Sequence, residues 1–212
     1  MSQPIQDPDQ ASATRGPTAP HLDRGVRLMM AWKRGDERAF EELVERYAGQ
    51  VWSLLTRFLG PIPGREDLVQ EVFLRVVRAR DRYEPSAKLS TWLYRIVFNL
   101  SVNQTQRDGR RPMRLVGQEG EELLDQIVDE GAQNPERELM RADTVEAVRA
   151  SIARLPERQR MALILAKYEG QSFLEIGEVL GISEKAVKST VHRARENLRE
   201  WLAPFVEAEI QQ

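Results

Sequence analysis

Apolar residues along the chain recur mainly at spacings of three and four, with no sustained alternation. From Phe40 onward, Leu43, Val44, Tyr47, Val51, Leu54, Leu55 and Phe58 fall on one stripe, which predicts a long amphipathic helix. Gly35-Asp36 ahead of it reads as a turn carrying an N-cap, and Gly60-Pro61-Ile62-Pro63-Gly64 ends it. A helix follows from Arg65 to Arg80, with Val69, Val72, Phe73 and Val76 inward, until Tyr83-Glu84-Pro85-Ser86 interrupts the pattern. The next helix is expected to begin near Ser90 as its cap and to bury Leu93, Ile96, Val97 and Leu100, with Trp92 on the same stripe. Past Pro135 a second unit shows Leu139, Val145, Val148, Ile152 and Leu155, a break at Pro156, then Met161, Leu163, Ile164 and Leu165.

The segment from Ser172 to Arg195 carries the most specific pattern. Ser172 is placed to cap a short helix whose Ile176, Val179 and Leu180 point inward. Gly181 permits a sharp turn, Ile182 plugs the angle and Ser183 caps a second helix. Those are the steric needs of a helix-turn-helix. On the second helix, Val187, Val191, Ala194 and Leu198 share a narrow arc at about 100° per residue, which makes them the buried edge. The opposite side then presents Lys185, Ser189, His192, Arg193 and Glu196, with Lys188 near its margin, a cationic, hydrogen-bonding face suited to phosphates and major-groove base edges.

Composition narrows the reading. The 212 residues include 30 % charged and 41 % hydrophobic side chains, a balance fit for a helical protein folding in water. No apolar run approaches the length a membrane-spanning helix needs, and the first residues lack a signal-peptide core, so a cytoplasmic location is expected. The chain has no cysteine and only His21 and His192, which removes disulfides and thiolate clusters and leaves no basis for a metal site or cofactor.

A net charge of −2 hides strong segregation. Arg75 to Arg111 contains nine Lys/Arg against three acids, a balance of +6, whereas Gly117 to Glu138 contains eight acids against one arginine, a balance of −7. A local cationic zone within a neutral chain suggests a nucleic-acid surface. The expected organisation is all-α: a disordered tail over 1–21, a helical bundle over 22–111, a flexible acidic linker over 112–138, a helix-turn-helix domain over 139–203 and a tail over 204–212.

Several motifs together resemble one family. Leu155-Pro156-Glu157-Arg158-Gln159-Arg160, Tyr168-Glu169-Gly170-Gln171-Ser172 and the helix-turn-helix ending His192-Arg193-Ala194-Arg195 are similar to the promoter-binding C-terminal domain of extracytoplasmic-function (ECF) sigma factors of the sigma-70 family. Gly35-Asp36 with Ala39-Phe40, Asp67-Leu68-Val69-Gln70-Glu71-Val72-Phe73-Leu74, and Thr91-Trp92-Leu93-Tyr94-Arg95-Ile96 with Asn99 resemble that family's N-terminal domain.

The resemblance implies an RNA polymerase subunit that recognises promoters and carries out no chemistry itself. Lys185, Lys188, Ser189, His192 and Arg193 would contact the upstream (−35) element as duplex. Tyr83, Lys88, Arg95, Asn99, Arg107, Arg110 and Arg111 would capture and help melt the downstream (−10) element, because unstacked bases need aromatic platforms and cations. Asp67, Gln70, Glu71 and Leu74 would dock on the clamp helices of the polymerase's largest subunit. The implied partners are core RNA polymerase, including the flap of its second-largest subunit, promoter DNA and an anti-sigma factor. Ala186 and Thr190 depart from residues frequent in the family's recognition helix.

A helix-turn-helix regulator acting without polymerase is the rival reading, and it calls for a ligand pocket or dimerisation heptads in the N-terminal half. The sequence shows neither. An enzyme would need a phosphate loop, a nucleophile motif or a metal cluster, and none is present.

Overall fold

The computed structural model describes residues 23–60, 62–107 and 146–210, the side chains of 107 and 206–210 excepted. The described residues form α1 (Arg24–Lys33), α2 (Glu37–Leu59), α3 (Arg65–Ala79), a 3₁₀ turn (Arg80–Arg82), α4 (Leu89–Arg107), α5 (146–154), α6 (Glu157–Lys167), α7 (Phe173–Leu180) and α8 (Glu184–Ile210). Among them there is no strand. The acidic stretch, the N-terminal tail and the expected core residues Leu139 and Val145 lie outside the described residues.

In the N-terminal half, the predicted stripe of α2 is buried or half-buried throughout, with Leu43, Val51, Leu54 and Leu55 fully covered. It packs against α1, α3 and α4. Asp36 caps α2 as expected, its carboxylate accepting from the Arg38 amide at 3.2 Å. The start of α4 differs from expectation. The helix begins at Leu89, one residue before Ser90, and its first amide donates to Asp23 Oδ2 at 2.9 Å. That same carboxylate accepts from the Val26 amide at 3.2 Å to cap α1. One acid thus satisfies orphan amides at two helix starts, the second of them 66 residues further along the chain, and fixes α1 against α4.

In the C-terminal half, Ser172 and Glu175 form a reciprocal capping box at the start of α7, and Gly181 takes the left-handed conformation (φ 65°) that ends it. Gly177 has a steric role the sequence does not advertise. A Cβ there would stand 2.7 Å from the Ile182 carbonyl, so only glycine lets the turn fold back so closely. Ser183 caps α8 through the Ala186 amide at 3.3 Å. α8 continues through Pro204 to Ile210, past the point where a tail is expected. Pro204 removes one backbone donor without ending the helix.

Besides the linker between them, the two helical halves pack directly on each other. A continuous apolar core runs from Val26 in α1 to Val191 in α8, and α4 lies against α7 while the end of α2 meets α6. The outer face of α8 nevertheless stays exposed.

Candidate nucleic-acid and partner surfaces

On α8, Val187, Val191 and Ala194 are buried and Leu198 half-buried, while Lys185, Lys188, Ser189, His192 and Arg193 are all exposed. The helical periodicity alone dictates this separation. Lys188 Nζ pairs with Glu184 at 3.0 Å and lies 6.0 Å from the Phe173 ring, and Ser189 Oγ donates back to the Lys185 carbonyl at 3.4 Å. These are exposed, solvent-screened contacts that a phosphate or base edge can replace at little cost. The capping box and Gly177 turn beneath set the angle at which this cationic face is displayed.

The expected downstream surface is divided. Lys88, Trp92, Arg95 and Asn99 follow each other at spacings of four, three and four, so they share one face of α4 and its entry. Arg95 and Asn99 are exposed, and Lys88 and Trp92 half-buried. Tyr83 does not join them. It is 4 % exposed, with its ring 5.0 Å from that of Trp92 in an edge-on arrangement, and burial pushes its hydroxyl up to about 12. In this conformation Tyr83 is a core residue, its ring packed edge-on against Trp92 rather than displayed at the surface as a stacking platform would be. Trp92 is the aromatic nearer the surface. Arg107 lies at the end of α4 with its side chain outside the described residues, as Arg110 and Arg111 are entirely.

Two of the remaining cations on this face are engaged by the C-terminal half. Lys88 Nζ pairs with Glu175 Oε1 at 2.7 Å, and Arg95 Nε donates to the Glu178 carbonyl at 3.0 Å. Glu175 therefore uses one oxygen for Lys88 and the other for the amide and hydroxyl of Ser172, each at 2.8 Å. Burial works against its ionised form, but the bonds from Lys88 and Ser172 outweigh it and hold the carboxyl below its usual range. Glu169, its side chain 10 % exposed, also links the halves, accepting from Arg57 at 3.2 Å and from the Tyr94 hydroxyl at 2.7 Å. Burial, followed by the Glu169 charge, drives the Tyr94 phenol far upward. Arg160 is half-buried and donates to the Phe58 carbonyl at 3.0 Å, tying α6 to the end of α2. None of these links is foreseen by helical periodicity, which reports on each helix separately. Tyr168-Glu169-Gly170, noticed as a motif, contains the acid at their centre.

On α3, Asp67, Gln70 and Leu74 are exposed along one stripe. Leu74 is 48 % exposed, and Val77 at 43 % extends the apolar patch one turn further. Glu71 is half-buried and accepts from Arg75 Nε at 2.9 Å with Arg78 at 3.5 Å, and the Arg75 hydrogen bond lowers its carboxyl. Apolar side chains in a polar rim are the composition of a docking surface. Val77 was legible from its three-residue spacing after Leu74, but the spacing also fits a buried position.

Among the described residues no helix is long and apolar enough to cross a membrane, and no three acids or histidines gather as a metal site.

The pattern described as Sigma-70 region 2 matches residues 43–111, and that described as Sigma-70, region 4 matches residues 145–198. The chain is 34 % identical over 173 residues to the ECF RNA polymerase sigma factor SigW of Bacillus subtilis, covering 80 % of this chain and 92 % of that one. It is 33 % identical over 178 residues to the ECF RNA polymerase sigma-E factor of Escherichia coli K12, covering 82 % and 92 % respectively. Its fold is similar to that of CnrH, solved in complex with the cytosolic domain of CnrY, with a TM-score of 0.62, 24 % identity and coverage of 86 % and 99 %. It is also similar to the sigma factor RpoE of Bartonella quintana, solved with the anti-sigma factor NepR, with a TM-score of 0.55, 21 % identity and coverage of 77 % and 96 %.

Proposed function

The chain belongs to the ECF RNA polymerase sigma factors of the sigma-70 family, and on that premise we propose how its surfaces divide the work of promoter recognition. Lys185, Lys188, Ser189, His192 and Arg193 read the −35 element from the major groove, where long cationic and hydroxyl side chains reach phosphates and base edges together. Lys88, Arg95, Asn99, Arg107, Arg110 and Arg111 engage the −10 element once it is opened, with Trp92 replacing Tyr83 as the aromatic beside them. Asp67, Gln70, Glu71 and Leu74, extended by Val77, dock on the clamp helices of the largest polymerase subunit.

The single observation that supports this assignment best is the exposure of five polar and cationic residues on one side of α8 over a buried Val187, Val191 and Ala194. The relative from Bartonella quintana is described in complex with an anti-sigma factor; a partner of that class, covering these same surfaces in the cytoplasm, belongs to the proposal.

The test is run-off transcription from a randomised promoter library by the purified chain with core polymerase, followed by sequencing of the transcripts. Enrichment of a two-part motif, absent when either component is left out, is the expected result. Tight sequence-specific binding by the isolated chain, with no effect on polymerase, would instead identify a regulator that acts alone.

A further inference from the structure

The loop between Tyr83 and Leu89 leads into the face of α4 assigned above to the −10 element, and α1 holds it at both ends. At its start, Lys33, the last residue of α1, donates from Nζ to the Tyr83 carbonyl at 2.9 Å. At its end, Asp23, the residue before α1, accepts from the Leu89 amide at 2.9 Å. Between those anchors Glu84, Pro85 and Ser86 are exposed, and Lys88 is half-buried one turn ahead of Trp92. We propose that α1 is the positioning element of the −10 surface: Asp23 and Lys33 fix the path of the 84–88 loop, and through it the base preference at the −10 element.

Three observations carry the proposal. First, α1 is fitted to the start of α4 by more than the shared carboxylate. A Cβ on Gly25 would stand 2.8 Å from the Leu89 Cβ and closer still to the Tyr47 hydroxyl, so the approach requires a residue without a side chain. Second, the turn ahead of the loop is held by the same helix. The Arg80 guanidinium lies 4.6 Å from the centroid of the Trp32 ring, donates to the Trp32 carbonyl and pairs with Glu37 at 3.1 Å. Tyr83 then packs in the core against Trp92, so the chain enters the loop from a fixed point. Third, both anchors are directed at main-chain groups: the Lys33 ammonium at one carbonyl, and Asp23 Oδ2 at the Val26 and Leu89 amides. They act on the course of the backbone. Base discrimination depends on hydrogen bonds that tolerate little displacement, and a loop keeps such geometry only on a rigid support. The consequence for the −10 element rests on the sigma-factor reading; the hold of α1 on the loop does not.

The test uses the full-length chain carrying Lys33→Met, which keeps the aliphatic stem, or Asp23→Ala. Asp23→Asn is the conservative variant, because an asparagine oxygen caps a helix as well as a carboxylate does. Amide hydrogen exchange of the free chain reads the hold on the loop. Exchange at Leu89 should rise about tenfold in Asp23→Ala, the scale of losing one hydrogen bond to a charged group, and fall back in Asp23→Asn. Run-off transcription from the promoter library with core polymerase reads the consequence. A change that only destabilises the fold lowers the yield from every sequence alike, since it only reduces the folded fraction. A displaced loop re-ranks the bases. Preference for the best −10 base should fall about tenfold in Lys33→Met and in Asp23→Ala, with the −35 preference unaltered, and should recover in Asp23→Asn.

A −10 ranking unaltered in both variants overturns the positioning role, as does exchange at Leu89 that Asp23→Ala leaves unchanged. Should Asp23→Ala fail to fold by circular dichroism, Lys33→Met decides alone through the −10 ranking. An unmodified chain that supports no promoter-dependent transcription, or shows no −10 preference, contradicts the sigma-factor reading; the Leu89 exchange then decides the hold of α1 on the loop by itself. A transcribing chain whose variants keep the −10 ranking contradicts the positioning role alone.

Discussion

The proposed reading face of α8 and the corresponding face of α4 are both stripes of polar and cationic residues over an apolar edge, yet the fold treats them oppositely. On α8 all five assigned residues are exposed, and apart from the approach of Lys188 to the Phe173 ring the contacts given for them above stay within their own helix. On α4 and its entry, Lys88 and Arg95 are tied to the other half of the chain, and Tyr83 is inside the core. A helix that reads an intact duplex needs no preparation beyond correct presentation, since the groove is already open. A surface that holds unstacked bases is useful only after melting, and it can be covered until then.

The largest expected effect tests the presentation of α8. Gly177→Ala forces a Cβ to within 2.7 Å of the Ile182 carbonyl, which backbone cannot yield cheaply. It should cost about 3 kcal/mol in thermal or urea unfolding, the upper end for overpacking, and misdirect α8. If stability and upstream binding both survive, the turn is not what sets the reading face.

A smaller effect concerns acid. Glu175 has its carboxyl lowered in the fold, so it contributes stability above its unfolded value, and that contribution is lost as pH falls through the lower folded value. Urea unfolding between about pH 5 and pH 2 should therefore fall more steeply for the unmodified chain than for Glu175→Gln. Parallel profiles would show that the Lys88 and Ser172 bonds add nothing to ionisation. The smallest effect is at Tyr83, whose hydroxyl is buried without a partner among the described residues. Tyr83→Phe should change stability by less than about 0.5 kcal/mol and leave transcription intact, whereas a strong loss of open-complex formation would return Tyr83 to the −10 surface.

Much of the fold was legible because each helix writes its inward face at a fixed spacing. The α2 stripe, the Asp36 and Ser172 caps, the Gly181 turn and the two sides of α8 follow from local rules and reappear in the structure. What stayed hidden depends on residues distant in sequence. Asp23 serving both α1 and α4, Glu169 joining Arg57 to Tyr94, and the inward turn of Tyr83 are set by how helices meet. No periodicity encodes those pairings. The α3 stripe falls between the two cases: Asp67, Gln70 and Leu74 could be placed on an outward face from spacing, but the exposure of Val77 required the packed structure.

The most direct test compares promoter-library transcription by Arg193→Ala and Arg95→Ala, each with core polymerase, against the unmodified chain. Loss of information at the upstream element alone for the first, on the scale of about 1–3 kcal/mol of base discrimination, and at the downstream element alone for the second is the predicted result. Matching losses at both elements in the two variants would contradict a division of promoter reading between α8 and α4.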